Sequence, residues 1–137
     1  MFRKIDDSIS VAGQITPDDV QAAAEQGFAA IINNRPDGEE TGQPAAADIE
    51  AAAHEAGLAY FAIPIGHAGF STDQVEAMAD ALAAAPGPVL AFCRSGTRST
   101  FAWALASATR GVDADTLISK AAGAGYDLSP IAAHLRG

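Results

Sequence analysis

The chain has 137 residues, 49% of them hydrophobic, and carries 8 lysines and arginines against 17 aspartates and glutamates, a formal net charge of −9. A chain of this length forms one domain, here 1–137, and buries roughly two-thirds of its unfolded surface, enough to fold without a metal or disulfide staple. The acidic balance sets nucleic acid and anionic membranes aside as partners, and a single cysteine, Cys93, excludes an intrachain disulfide and a thiolate-rich metal site.

No apolar run approaches the ~20 residues of a membrane-spanning helix. The first residues, Met1 to Asp7, have two basic side chains but no apolar stretch of a secretion signal. The expectation is a cytoplasmic protein with a reduced thiol. In chain order, Ile9 to Ala12 reads as a short strand. Thr16-Pro17-Asp18-Asp19 starts a helix, with a capping hydroxyl, a proline at the first helical position and two acids in the first turn; Gly27 stops it. Phe28 to Asn33 reads as a buried strand and Asn34 to Pro44 as a polar loop. A helix over Ala45 to Ala56 ends at Gly57, and Leu58 to Ile63 is the next strand.

The third helix has the clearest local signal. Ser71 with Gln74 forms a capping box, Phe70 against Val75 a hydrophobic staple, and Pro86-Gly87-Pro88 a stop. Val89 to Phe92 is a strand that runs directly into Cys93, and Ser99 to Arg110 is a helix closed by Gly111. Two short helices follow, from Asp113 and from Ser129-Pro130. Strands alternating with helices imply an α/β fold, a mostly parallel sheet of four to five strands flanked by helices. In such sheets ligands bind beyond the carboxyl ends of the strands. Three loops fall there: Asn34–Pro44, Pro64–Phe70 and Cys93–Arg98.

The last of these carries the chemistry. Cys93-Arg94-Ser95-Gly96-Thr97-Arg98-Ser99 joins a strand to a helix start. Unpaired N–H groups at such a junction converge on a concavity that attracts an anion. Gly96 lets the backbone curl, and Arg98 offers a planar fork to an oxyanion. A thiol at this mouth is expected to ionise more readily than an ordinary cysteine and to serve as nucleophile. Ser95 and Thr97 are expected to lend mainly backbone N–H groups, Arg94 to orient the anion from the rim, and Ser99 to hydrogen-bond the thiolate. Arg94 and Arg98, two of only eight basic residues, are expected to make a local positive pocket.

This loop resembles the cysteine–four residues–arginine loop of rhodanese-type sulfurtransferases. It also resembles, less one residue, the loop of dual-specificity and tyrosine phosphatases. Over nearly its whole length, and most at Ile31–Glu40, Gln43-Pro44 and Pro88–Ser99, the chain is similar to bacterial phosphatase-like sulfurtransferase domains related to the N-terminal part of β-lactamase-hydrolase-like proteins. The resemblance implies a dual-specificity-phosphatase-like fold and sulfurtransferase activity through a Cys93 persulfide. It also implies a functional link to a persulfide dioxygenase or other sulfide-oxidising enzyme.

Three departures from the phosphatase pattern favour sulfur transfer over phosphoester hydrolysis. The loop is one residue short, Phe92 stands where histidine is usual, and Pro64–Phe70 has no carboxylate to act as general acid. An acid contributes about 10²–10⁴-fold to expelling an alkoxide, whereas sulfite or an acidic thiolate leaves unaided. The expected partners are therefore a small anionic sulfur donor, such as thiosulfate or a low-molecular-weight persulfide, and a thiol acceptor, with no cofactor and no metal. A cysteine-dependent phosphatase is the alternative, and a non-catalytic anion-binding module a third reading. Outside the loop, Arg35 either binds the donor or pairs with Asp37 in a Pro-Asp-Gly turn. Asp37 orients an arginine or acts as acid, and His67 acts as acid or is an ordinary loop residue. Glu39 and Glu40 read as solvated or as acceptors of backbone N–H groups, and Trp103 as core.

Overall fold

The computed structural model describes residues 2–136. Five strands form one sheet in the order β1-β2-β5-β3-β4, with β1 Arg3–Asp6, β2 Ile9–Ala12, β3 Ala30–Asn33, β4 Ala59–Ala62 and β5 Val89–Phe92. Only β1 runs antiparallel; the other pairings are parallel. The helices are α1 Pro17–Glu25, α2 Ala46–Glu55, α3 Thr72–Ala84, α4 Thr97–Thr109, α5 Ala114–Gly123 and α6 Ala132–Leu135, the last entered through a 3₁₀ turn at Ser129–Ile131. Among the described residues no helix is long and apolar enough to cross a membrane.

The three inner strands β2, β3 and β5 are buried along their whole length because both faces of the sheet are covered there. Ile9, Val11, Ala30, Ile32, Val89 and Ala91 join one cluster with Met78, Trp103 and Leu117 of α3, α4 and α5. The alternate residues Ala12, Ile31, Leu90 and Phe92 join a second with Val20, Ala23, Ile49 and Ala53 of α1 and α2. Each buried isoleucine or leucine stabilises this arrangement by about 1.5–3 kcal/mol. Trp103 is core, as expected. β5 is the central strand, paired with β2 on one side and β3 on the other in matching register. Cys93 thus leaves the sheet at its middle.

Several ends are trimmed: β3 starts at Ala30 where the sequence reading had Phe28, β4 is Ala59–Ala62 where it had Leu58–Ile63, and α2 is Ala46–Glu55 where it had Ala45–Ala56. Two differences go further. β1 was not expected, since Arg-Lys-Ile-Asp has one apolar residue, Ile5, and forms a strand only because β2 offers an edge to pair with. α4 starts at Thr97, not Ser99, because Gly96 takes a left-handed conformation (φ 90°) and completes the turn early. That places Arg98 in the first helical turn.

Candidate active site

Four helices of eight or more residues have a side chain on their first N–H groups: Thr16 serves α1, Ser71 α3 and Asp113 α5. For α2 the acceptor is Asp37 Oδ1, 2.8 Å from Ala46 N. The start of α4 has no side-chain cap. Its open N–H groups and the positive end of its dipole face the Cys93 loop, the physical requirement for an anion cradle.

Cys93 is 0% exposed, and Gly96 N–H donates to its Sγ at 3.1 Å. The loop is wired through its backbone. Cys93 N–H donates to Ala12 O and Gln14 N–H to Arg94 O, both at 3.3 Å, while Thr100 Oγ1 donates to Gly96 O at 2.8 Å. The Ser95 hydroxyl donates to Thr97 Oγ1 at 3.1 Å, so these two side chains engage each other and leave their amides to the loop. Ser99 departs from expectation. Its hydroxyl donates to Asn34 Oδ1 at 2.8 Å, and Asn34 in turn donates to Ile63 O, so Ser99 ties α4 to the ends of β3 and β4 instead of donating to the sulfur.

Arg98 reaches back across the strand ends. Nη1 donates to Ile65 O (2.6 Å) and to Glu39 Oε2 (2.7 Å), and Nη2 donates to Glu39 Oε1 (2.8 Å). Glu39 also accepts from Arg35 Nε at 2.9 Å. Arg35, its side chain 3% exposed, completes its fork with Gln14 Oε1 (3.0 Å) and Glu40 Oε1 (2.8 Å). Arg94 stands at the rim as expected, 62% exposed, with Nε 3.4 Å from Glu40 Oε1. The site thus carries three arginines against two glutamates, which corrects the expected positive pocket: most of its charge is matched within the site.

Glu39 is the residue the sequence reading missed. Its side chain is only 14% exposed. The hydrogen bonds from Arg98, opposed by burial and reinforced by Arg35, lower its pKa to about 2. Arg98 is raised in turn, first by Glu39 and further by the neighbouring cysteine. Glu40 is lowered by Arg35 and Arg94. Asp37 pairs with no arginine; its carboxylate caps α2, so both the arginine-orienting role and the Arg35–Asp37 pair are replaced by the glutamate network. His67 is 77% exposed, with Nε2 3.6 Å from Glu39 Oε2 at the edge of the same network. Among the described residues no group of three or more His, Cys, Asp or Glu is placed to hold a metal ion.

Residues 1–110 match the family model described as "Beta-lactamase hydrolase-like protein, phosphatase-like domain". The chain belongs to that family. The β-lactamase hydrolase-like protein of Agrobacterium fabrum is 38% identical over 108 residues, covering 79% of this chain and 25% of the relative. That of Xylella fastidiosa (strain Temecula1) is 37% identical over 107 residues, 78% of this chain and 25% of the relative. The chain therefore spans about a quarter of the length of these curated relatives. A candidate phosphatase from Neisseria meningitidis Z2491 has a similar structure, with a TM-score of 0.84 and 33% identity over 98% of this chain and 95% of that one. TpbA of Pseudomonas aeruginosa, solved in complex with phosphotyrosine, shares the fold at a TM-score of 0.67 and 18% identity, over 95% of this chain and 79% of that one. The fold is that of the dual-specificity-like cysteine phosphatases, and the domain is phosphatase-like.

Proposed function

We propose that the chain is a cysteine-dependent enzyme of phosphatase type, acting on phosphoesters whose leaving group departs without a proton. The observation that carries this reading is Cys93 at the foot of an uncapped helix start, with Gly96 N–H on its sulfur and Arg98 in the first turn. The family and the similar structures put phosphoryl chemistry ahead of the sulfur transfer expected from sequence. In the first step the Cys93 thiolate forms an S–P bond as the P–O bond to the leaving group breaks. The leaving group takes the electron pair, and amides of the loop with the Arg98 fork hold the equatorial oxygens. Water then attacks phosphorus, the S–P bond breaks, and phosphate and thiolate are released.

The restriction on leaving group comes from Glu39. A general acid must hold a proton at working pH. Glu39, the carboxylate bound to Arg98, is ionised down to about pH 2. No carboxylate lies on the Pro64–Phe70 loop, whose His67 is largely exposed. Aryl phosphates fit such a site; alkyl phosphates do not.

The same missing proton, with the six-residue Cys93–Arg98 loop, favours a second reading, sulfur transfer. Cys93 would attack the sulfane sulfur of thiosulfate, forming an S–S bond while sulfite leaves with the electron pair. A thiolate acceptor would then take the sulfur and regenerate Cys93. One experiment separates the two. The protein is incubated with p-nitrophenyl phosphate or with thiosulfate, quenched and weighed intact, with Cys93→Ser as control. A phosphoryl group on Cys93 and Cys93-dependent nitrophenol release are expected. An added sulfur with no phosphoryl adduct overturns the first reading for the second. Silence in both arms overturns both and leaves an anion-binding module.

A further inference from the structure

The family model ends at residue 110, yet a residue beyond it reaches the Cys93 loop. Tyr126 follows α5, and its hydroxyl donates to Ser95 O at 3.0 Å. That carbonyl belongs to the same peptide unit as Gly96 N–H, the group that donates to Cys93 Sγ at 3.1 Å. A peptide is planar and trans, so its C=O and N–H point in opposite directions. Holding the carbonyl toward Tyr126 therefore aims the N–H at the sulfur. Turned over, the plane would set a carbonyl oxygen against the thiolate.

This peptide needs a hold from outside. Gly96 has φ 90°, a region open to glycine, and glycine adds no side chain to fix the plane. A Cβ at Gly96 would overlap the Tyr126 hydroxyl, so the tyrosine is packed directly on the loop. Tyr126 is itself fixed. Its N–H donates to Ala121 O at 2.9 Å, and the Arg3 guanidinium lies 5.7 Å from its ring centroid while donating to Ala124 O at 3.2 Å. A chain of contacts thus runs from β1 through Arg3 and Tyr126 to the peptide beneath the nucleophile.

We propose that Tyr126 is a positioning residue for Cys93, its hydroxyl fixing the Ser95–Gly96 peptide so that the Gly96 N–H stabilises the thiolate. The inference rests on reading Cys93 as the nucleophile, but not on which substrate it attacks. The test is Tyr126→Phe, which keeps the ring against Gly96 and the Arg3 contact and removes only the donor. Alkylation of Cys93 by iodoacetamide at pH 7 reports the thiolate through a neutral reagent, independent of anion binding. Its rate is expected to fall about tenfold, the scale of one hydrogen bond to a charged group. Turnover of p-nitrophenyl phosphate is expected to lose kcat by a similar factor with KM unchanged within twofold, and the thermal midpoint to stay put. A folded variant that alkylates and turns over within twofold of the parent overturns the proposal. A parent silent in both the phosphate and the sulfur assays, but whose alkylation still slows in Tyr126→Phe, overturns the proposed reaction and supports this role.

Discussion

The loop that carries Cys93 and the loop that carries Glu39 meet at one end of the sheet, and they are held by different means. The first is fixed through its backbone, by bonds to Cys93 Sγ and to Arg94, Ser95 and Gly96 carbonyls. The second is fixed through its side chains: Arg35 on Glu39 and Glu40, Asp37 on α2, and Gln43 Nε2 on Pro36 O. Backbone wiring holds the loop in shape while the start of α4 keeps no side-chain cap. Carboxylates from the neighbouring loop then set how much positive charge the arginines present. The cradle and its charge are thus supplied separately, so each can be removed while the other stays.

Removing the proposed nucleophile tests the cradle most severely. Cys93→Ser is expected to lower turnover by more than about a thousandfold, since an alcohol in place of the thiol is a far poorer nucleophile. An unchanged thermal melt alongside lost turnover checks that the fold survives. Arg98→Lys comes next. Lysine keeps one charge but loses the fork that spans Ile65 O and Glu39. A fall in kcat/KM of about 10²–10³-fold is expected, read by steady-state kinetics.

Glu39→Gln breaks the second loop while leaving the first intact. It frees Arg98 of its counter-charge and strips Arg35 of one partner. The expected cost is about 1–3 kcal/mol of stability, with a smaller change in kcat/KM, about tenfold, than Arg98→Lys gives. The pH dependence has a definite sign. The carboxyl is held to about 2, below its ordinary 4.5, so its contribution is complete above pH 4.5 and is lost as pH falls toward 2. Denaturant midpoints taken from pH 6 down to pH 2 should therefore fall more steeply for the parent than for Glu39→Gln. Parallel curves would show that the network adds no stability of its own. The smallest effect is expected at the rim. Arg94 is exposed and faces a half-exposed Glu40, so Arg94→Ala should change kcat/KM by no more than about threefold and stability by less than about 0.5 kcal/mol.

Elements whose signal is local were legible from sequence. Ser71 and Gln74 form the capping box that their spacing implies, with the two reciprocal bonds at 3.1 and 2.9 Å. Strand β5, the cysteine at its end and the arginine in the following turn were legible for the same reason. β1 was not, because its strand character is conferred by β2 and not by Arg-Lys-Ile-Asp itself. Glu39 was hidden by distance: its partner Arg98 is 59 residues away, and nothing in a polar loop with four acidic or basic side chains marks which one will be buried. The one available hint was Arg35 four residues before Glu39, a spacing read there as a turn. Distance also explains why Ser99 was read as a partner of the sulfur: its actual partner, Asn34, comes from another strand end, 65 residues away.

The central placement of β5 has a consequence for motion. Ala12 O accepts from Cys93 N–H on one side, and Phe92 O accepts from Asn34 N–H on the other. The root of the loop is therefore stitched to two strands at once. Its amide can exchange with solvent only when the middle of the sheet opens, so deuterium should enter Cys93 N–H among the slowest positions of the chain. The buried sulfur thus stands on the most firmly held backbone of the site, while Arg98 and Glu39 are held there by side-chain bonds.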